Sequence, residues 1–192
     1  MYKYLDSVLK RLTREIYRVF QSFRTLPFDE LNVVPSVRTM YEELADLNYQ
    51  AFVQIAKHYY ALKGEAVTTD ISLLVSEYLI KPSAVMKYSY DSEVIRKRDR
   101  LLEALIATGG DVTEIDKAMQ YWSQTAGQFA LEVADAALKQ SRIDRGVKLV
   151  RWCCADDERT CTNCHKLDGR IFHADAVPDK PHPRCRCWTE EV

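Results

Sequence analysis

The amino-acid sequence predicts a mostly α-helical protein, with a scaffold of about five helices followed by a small β-rich module at the C-terminal end. Three observations support this fold class. Apolar residues recur at helical spacing through the first 145 residues, the composition changes after Gly146, and all six cysteines lie between Cys153 and Cys187. We therefore divide the chain into a helical domain, residues 1–145, and a C-terminal module, residues 146–192.

Length and composition are those of a folded protein of ordinary size. The chain has 192 residues, of which 47% are hydrophobic and 29% charged, and its formal net charge is −1. This near-neutral balance gives no overall attraction to nucleic acid or to an anionic membrane. No apolar run approaches the length of a membrane span, so we expect no membrane partner.

The first predicted helix covers residues 2–24 and has an apolar stripe opposite a basic face. The stripe consists of Leu5, Leu9, Leu12, Ile16, Val19 and Phe23. The opposite face carries Lys3, Lys10, Arg11, Arg14, Arg18 and Arg24. We interpret this face as the solvated side of an ordinary bundle helix, and contact with a membrane, with DNA or with a partner protein is the alternative.

Four further helices are predicted before residue 146, with a capping residue before each apolar run or a glycine or proline after it. The predicted ranges are Ser36 to Lys63, Thr69 or Asp70 to Ile80, Asp91 to Thr108, and a longest helix that starts at Asp111 or Thr113. Heptad spacing in the longest helix relates Ile115, Met119, Trp122, Ala126, Phe129, Val133 and Ala136. No phosphate-binding loop or nucleophile motif accompanies these helices, so we predict no catalytic residue and no small-molecule substrate.

The sequence of the C-terminal module predicts short strands and turns. Residues 147–154 are β-branched and partly alternating, which predicts a strand. A tight turn is expected at Cys161 to Cys164, and Asp168-Gly169 is a strong turn signal before a return strand at 170–172.

Cysteine and histidine spacing in the module predicts a metal site. The order C-x2-C-x17-H-x2-C supplies four ligands, Cys161, Cys164, His182 and Cys185. Soft and borderline ligands of this kind favour tetrahedral zinc, and a structural zinc ion would stabilise a segment with little apolar content. We keep Cys187 as the substitute ligand for His182.

The cysteines have other possible roles. Three disulfides, or unligated thiols, are the alternatives to zinc. The start of the chain carries periodic charges rather than a signal peptide's apolar stretch, and this favours the metal site over disulfides. Cys153 and Cys154 would face opposite sides of a strand, so we expect them to pack rather than to bind the ion.

At these residues the sequence resembles the minor head proteins of tailed bacteriophages, of the phage Mu head-morphogenesis type. The matching stretch runs from about Gly146 to Cys187. It contains Trp152, Asp156 or Asp157, Arg159, Cys161, Cys164, Leu167-Asp168-Gly169, Phe172 and the closing HPRCRC of residues 182–187.

The resemblance implies a low-copy, non-enzymatic component of a phage head. Such a protein is assembled in the cytoplasm of the infected bacterium and ends in the virion head. Its expected partners are the portal protein, the major capsid protein, or both, with a possible weak contact to DNA. The helices would then supply a docking surface, and the zinc module would form a rigid projection that is held together by the metal ion.

The main alternative is a zinc-dependent nucleic-acid-binding module or nuclease. Basic residues around the site could contact phosphate, namely Arg170, Lys180, Arg184 and Arg186. Against this, residues 142–192 hold ten Lys/Arg and nine Asp/Glu, and His173 with Asp175 is a weak candidate for a general base. A toxin-like enzyme is a third hypothesis, which would need the N-terminal helices to be catalytic.

Overall fold

The computed structural model describes residues 3–64, 66–155, 158, 160–183 and 185–192. Part of the sequence pattern discussed above lies outside the described residues, namely Asp156, Asp157, Arg159 and Arg184. The site residues predicted from cysteine and histidine spacing are all described.

The predicted helical scaffold is present. Its five helices are α1 Lys3–Arg24, α2 Val33–Tyr60, α3 Ile71–Leu79, α4 Tyr90–Thr108 and α5 Val112–Asp144. The C-terminal module contains β1 Leu149–Cys153, α6 Thr162–Leu167, β2 Ile171–His173 and β3 Trp188–Glu191. Across the described residues the chain is therefore mostly helical with a small β-rich end, which confirms the predicted fold class.

Aspartate caps fix where two of the helices begin. A carboxylate oxygen of Asp70 accepts from the backbone N–H of Leu73 at 3.1 Å, and one of Asp111 accepts from that of Thr113 at 2.8 Å. These bonds satisfy N–H groups that have no acceptor within the helix. The sequence allowed Thr69 or Asp70 as the start of α3, and Asp111 or Thr113 as the start of α5. In the structure the caps are Asp70 and Asp111.

Helix α2 begins at Val33, three residues before the predicted start at Ser36. Pro35 lies within its first turn. A proline is tolerated there because the N–H groups of the first turn have no acceptor in the helix, so the ring removes no bond. The helix also ends earlier than predicted, at Tyr60.

Helix α5 is the centre of the scaffold and packs against each of α1, α2, α3 and α4. Its predicted heptad stripe faces inward, with Met119 and Ala136 half-buried and the other five residues buried. From Trp122 onward burial extends beyond the stripe to polar positions, namely Thr125, Gln128, Glu132, Ser141 and Arg142. A single apolar stripe underestimates this burial because neighbouring helices cover α5 on more than one side.

The basic face of α1 is exposed, and its apolar face packs on α2 and α5. Arg24 at the end of the helix lies 3.0 Å from a carboxylate oxygen of Asp116 on α5. This packing favours the interpretation of α1 as a bundle helix. Within the described part of the chain, no helix combines the length and the apolarity needed to cross a membrane.

The three strands form one antiparallel sheet in the order β2-β1-β3. In β1, Val150 and Trp152 are buried while Leu149 and Arg151 are exposed. Strand β3 was not predicted from the sequence, and it pairs with β1 so that Cys153 lies opposite Trp188. The central strand is also shorter than the predicted 147–154.

Charged contacts attach the sheet to the end of α5. The Arg142 guanidinium is buried and donates both to the side-chain hydroxyl of Thr189 and, at 2.7 Å, to its carbonyl oxygen. Arg145 donates to both carboxylate oxygens of Glu191. On the loop after β2, Lys180 Nζ lies 2.9 Å from a carboxylate oxygen of Asp135 on α5. These three contacts set the position of the module on the scaffold.

Replacing Arg142 by methionine should weaken this attachment, because the unbranched apolar side chain keeps most of the packing of the arginine stem but leaves the Thr189 carbonyl without its charged donor. We expect Arg142→Met to lower the free energy of unfolding by about 2–3 kcal/mol. The matched control is Arg18→Met, whose side chain is 71% exposed and pairs within α1, with an expected loss below about 1 kcal/mol. Equal losses for the two variants in urea unfolding would contradict the proposed attachment.

The attachment should also be sensitive to acid. Hydrogen bonds from Arg145 hold the pKa of Glu191 below its ordinary value of 4.5, so the ion pair stabilises the fold above that value and is lost as the pH falls below it. We expect wild type to exceed Glu191→Gln in stability by about 1 kcal/mol at neutral pH. Unfolding measured at a series of pH values should show this difference vanishing in acid. A difference that is independent of pH would refute the argument.

Candidate metal centre

The C-x2-C pair is positioned by helix α6, where the sequence predicted only a tight turn. Cys161 is the N-cap residue, and its sulfur accepts from the backbone N–H of Cys164 at 3.4 Å. One helical turn therefore separates the two sulfurs and directs them to the same side. Since the helix is six residues long, too short for a strong periodicity signal, spacing alone could not distinguish it from a turn.

The second half of the site comes from the segment between β2 and β3. The His182 Nε2 atom lies 3.4 Å from the sulfur of Cys164, and the sulfur of Cys185 lies 3.5 Å from that same sulfur. Cys187 is buried immediately before β3. Residues about twenty positions apart in the sequence are thus brought together around Cys164.

The predicted ligands form two overlapping groups. The donor atoms of Cys161, Cys164 and His182 all lie within 4.8 Å of one another, and so do those of Cys164, Cys185 and Cys187. Either group could hold a metal ion. Cys164 belongs to both groups, and Cys187 lies in the group that contains Cys185. Its role as substitute ligand for His182 stays a prediction.

The distances suit a tetrahedral ion of the size of zinc. Bond lengths of about 2.3 Å to sulfur and about 2.0–2.1 Å to nitrogen place two ligand sulfurs about 3.8 Å apart and a sulfur and a nitrogen about 3.6 Å apart. The 3.4 Å and 3.5 Å separations around Cys164 are close to these values. The ligand types and the two separations around Cys164 therefore fit the metal that this chemistry implies, whereas Cys185 lies in a different group from Cys161 and His182.

Hydrogen bonding prepares His182 for this role. Its Nδ1 atom lies 2.9 Å from the carbonyl oxygen of Pro183. A carbonyl can only accept, so we assign the ring proton to Nδ1, which leaves the lone pair of Nε2 directed toward Cys164. A backbone partner of this kind is the usual means by which proteins orient a ligating imidazole.

The thiols differ in how readily they ionise. The backbone N–H of Cys164 lowers the pKa of Cys161, whereas burial raises the pKa of Cys164 to about 12 and also raises that of Cys187. Buried sulfurs of this kind remain neutral unless a cation stabilises the thiolate. Metal binding must therefore release protons from the cluster, and it will weaken as the pH falls.

The two remaining cysteines behave differently from each other. Cys153 is half-buried on the outer side of β1, as expected for packing. Cys154 is buried, and its sulfur lies 3.4 Å from that of Cys187. The antiparallel pairing of Cys153 with Trp188 explains this contact, because the next pair in the same register is Cys154 with Cys187. Sequence reasoning missed the proximity because it did not predict β3.

The turn after α6 closes the module around the site. The backbone N–H of Cys154 donates to Asp168 at 2.7 Å, and that of Gly169 donates to the carbonyl of Trp152 at 2.9 Å. Gly169 has a φ of +71°, which favours glycine and confirms the predicted turn. These bonds join α6 directly to the central strand.

The core of the module consists largely of the cluster itself. Its buried members are Trp152, Cys154, Cys164, Cys185 and Cys187. All six cysteines are free thiols in the structure. Since so few apolar side chains are buried, an ion that links the sulfurs would contribute a large share of the stability of the module.

Other predicted candidates are exposed and belong to neither group of donors. His173, at the end of β2, and Asp175 are both exposed, as is Arg170. The guanidinium of Arg170 lies over the ring of Phe172, 5.3 Å from its centre.

Comparisons with protein-family models, with curated proteins and with solved structures found no match to this chain.

Removing the metal should unfold the module and leave the helical scaffold folded, since the scaffold has its own apolar core. We expect chelation under reducing conditions to abolish amide exchange protection in β1, β2 and β3 while α2 and α5 stay protected. Cys164→Ser should have the same effect, because Cys164 belongs to both donor groups. His165→Ala, on the exposed side of the same helix, is the control and should retain protection. Protected strands after chelation would contradict a structural metal.

Proposed function

We propose that this chain is a non-enzymatic structural component of a bacteriophage head, with zinc as the ion in its C-terminal module. The observation that carries the proposal is the combination of the Cys161 to Cys187 pattern with the convergence of its donor atoms around Cys164. The same stretch carries the resemblance to minor head proteins of tailed bacteriophages. A set of thiolates and one imidazole is typical of structural zinc.

The architecture suits an assembly role. The metal-binding module is attached to α5 through Arg142, Arg145 and Lys180, so a partner that contacts the module is held at a defined angle to the helical scaffold. The exposed basic face of α1 offers a second surface of defined shape. A head protein needs such fixed surfaces and no chemical reaction.

The portal protein, the major capsid protein, or both are the proposed partners, and the virion head is the proposed location. A net charge near zero is compatible with protein partners of either sign. DNA contact would be weak, because a net charge of −1 gives the chain no overall attraction to phosphates.

The test is assembly with portal and major capsid proteins from the genome that encodes this chain. When the three are co-expressed and separated on a density gradient, we expect the chain to sediment with portal-containing particles in low copy number. His165→Ala should behave as wild type, and Cys164→Ser should stay at the top of the gradient because its module is unfolded.

Two outcomes would overturn the proposal. Wild-type chain that remains at the top of the gradient while the particles assemble would exclude a head role. Salt-sensitive DNA binding near physiological ionic strength, together with DNA cleavage that is lost in His173→Ala, would favour the nuclease alternative instead.

A further inference from the structure

The cluster in the C-terminal module contains more donors than one tetrahedral ion can use. Cys154 adds a sixth donor to the five residues predicted from spacing, since its sulfur lies 3.4 Å from that of Cys187. A single ion bound by four of these residues would leave two buried donors unused. We propose that the module holds two metal ions in one cluster, with the thiolates of Cys164 and Cys185 shared between them.

The number of donors matches this arrangement. Two tetrahedral ions need eight coordination positions. Four terminal ligands and two bridging ligands fill all eight positions with six donors. Cys161 and His182 would be the terminal ligands of one ion, and Cys154 and Cys187 those of the other. This inference rests on the metal site of the proposed function, and it extends that site by one ion.

The placement of Cys164 and Cys185 suits bridging. Cys164 already belongs to both groups of close donors, and Cys185 lies 3.5 Å from it. Both residues are 1% exposed, whereas Cys161 and His182 at one end are half-buried. The structure groups Cys185 with Cys164 and Cys187, and not with Cys161 and His182. To bridge the two ions, the sulfur of Cys185 must therefore move toward Cys161 and His182.

Backbone geometry places Cys154 at the other end of the cluster. The β1–β3 register sets it opposite Cys187, and its backbone N–H is held by Asp168 at 2.7 Å. In the absence of an ion, its S–H group donates to the carbonyl oxygen of Cys164 at 3.0 Å. The sulfur therefore faces the cluster on the Cys187 side, although Cys154 is in neither group of donors that lie within 4.8 Å of one another. Binding an ion requires it to exchange this hydrogen bond for a metal bond and to approach Cys164 and Cys185.

Charge is compatible with two divalent ions. Five thiolates carry five negative charges, and two divalent cations reduce the total to −1. One divalent cation reaches the same total only when two of the five sulfurs stay protonated, so the second ion is what allows all five sulfurs to bind as thiolates.

The test is the zinc content of the reduced, purified chain, measured by elemental analysis against protein concentration. We expect two zinc ions per chain in wild type and one in Cys154→Ser. Cys153→Ser is the matched control, because it replaces the adjacent cysteine on the outer side of β1, and it should retain two. One zinc ion per chain in wild type, unchanged in Cys154→Ser, would overturn the second ion while leaving the proposed structural site intact. No zinc in wild type would overturn both.

A second measurement does not depend on whether Cys154→Ser folds. Wild-type chain loaded with ¹¹³Cd²⁺ should give two cadmium resonances with chemical shifts typical of thiolate-rich sites. The two resonances should have equal intensity at every point of a cadmium titration. A single resonance at saturation would contradict the two-ion cluster.

Discussion

The structure of the C-terminal module depends on the convergence of its sulfur and nitrogen donors around Cys164. The three strands are only three to five residues long, and they enclose few apolar side chains. Sheets of this size bury too little surface to be stable in water on their own. Bonds from an ion to residues of α6 and of the segment before β3 would connect the parts of the module that the sheet alone holds weakly.

The same constraint links the module to the scaffold. Helix α5 is buried among its neighbours for most of its length. Arg142 in its last turn and its C-cap residue Arg145 both contact β3. Strand β3 in turn begins directly after Cys187. A change at the metal site would therefore be transmitted through β3 to the end of the central helix, and loss of the Arg142 contact would release the strand that places Cys187.

The sequence was sufficient for features that depend on local pattern. Helical periodicity located α1 to α5, and C-x2-C with the later histidine and cysteines identified the residues that the structure brings together. Local pattern could not locate β3 or the contact between Cys154 and Cys187, since both arise from pairing across more than thirty residues. The start of α2 was predicted three residues too late. A proline such as Pro35 is equally compatible with a loop and with the first turn of a helix, so the sequence does not decide between the two. The resemblance to minor head proteins stays a prediction.

The central claim, that a thiolate-bound zinc ion closes the module, is tested most directly by X-ray absorption at the zinc edge of the protein as purified. The account predicts a first shell dominated by sulfur at about 2.3 Å, with a minor contribution from imidazole nitrogen at about 2.0–2.1 Å. A first shell made mainly of oxygen and nitrogen, or a protein without zinc whose cysteines are oxidised to disulfides, would contradict it.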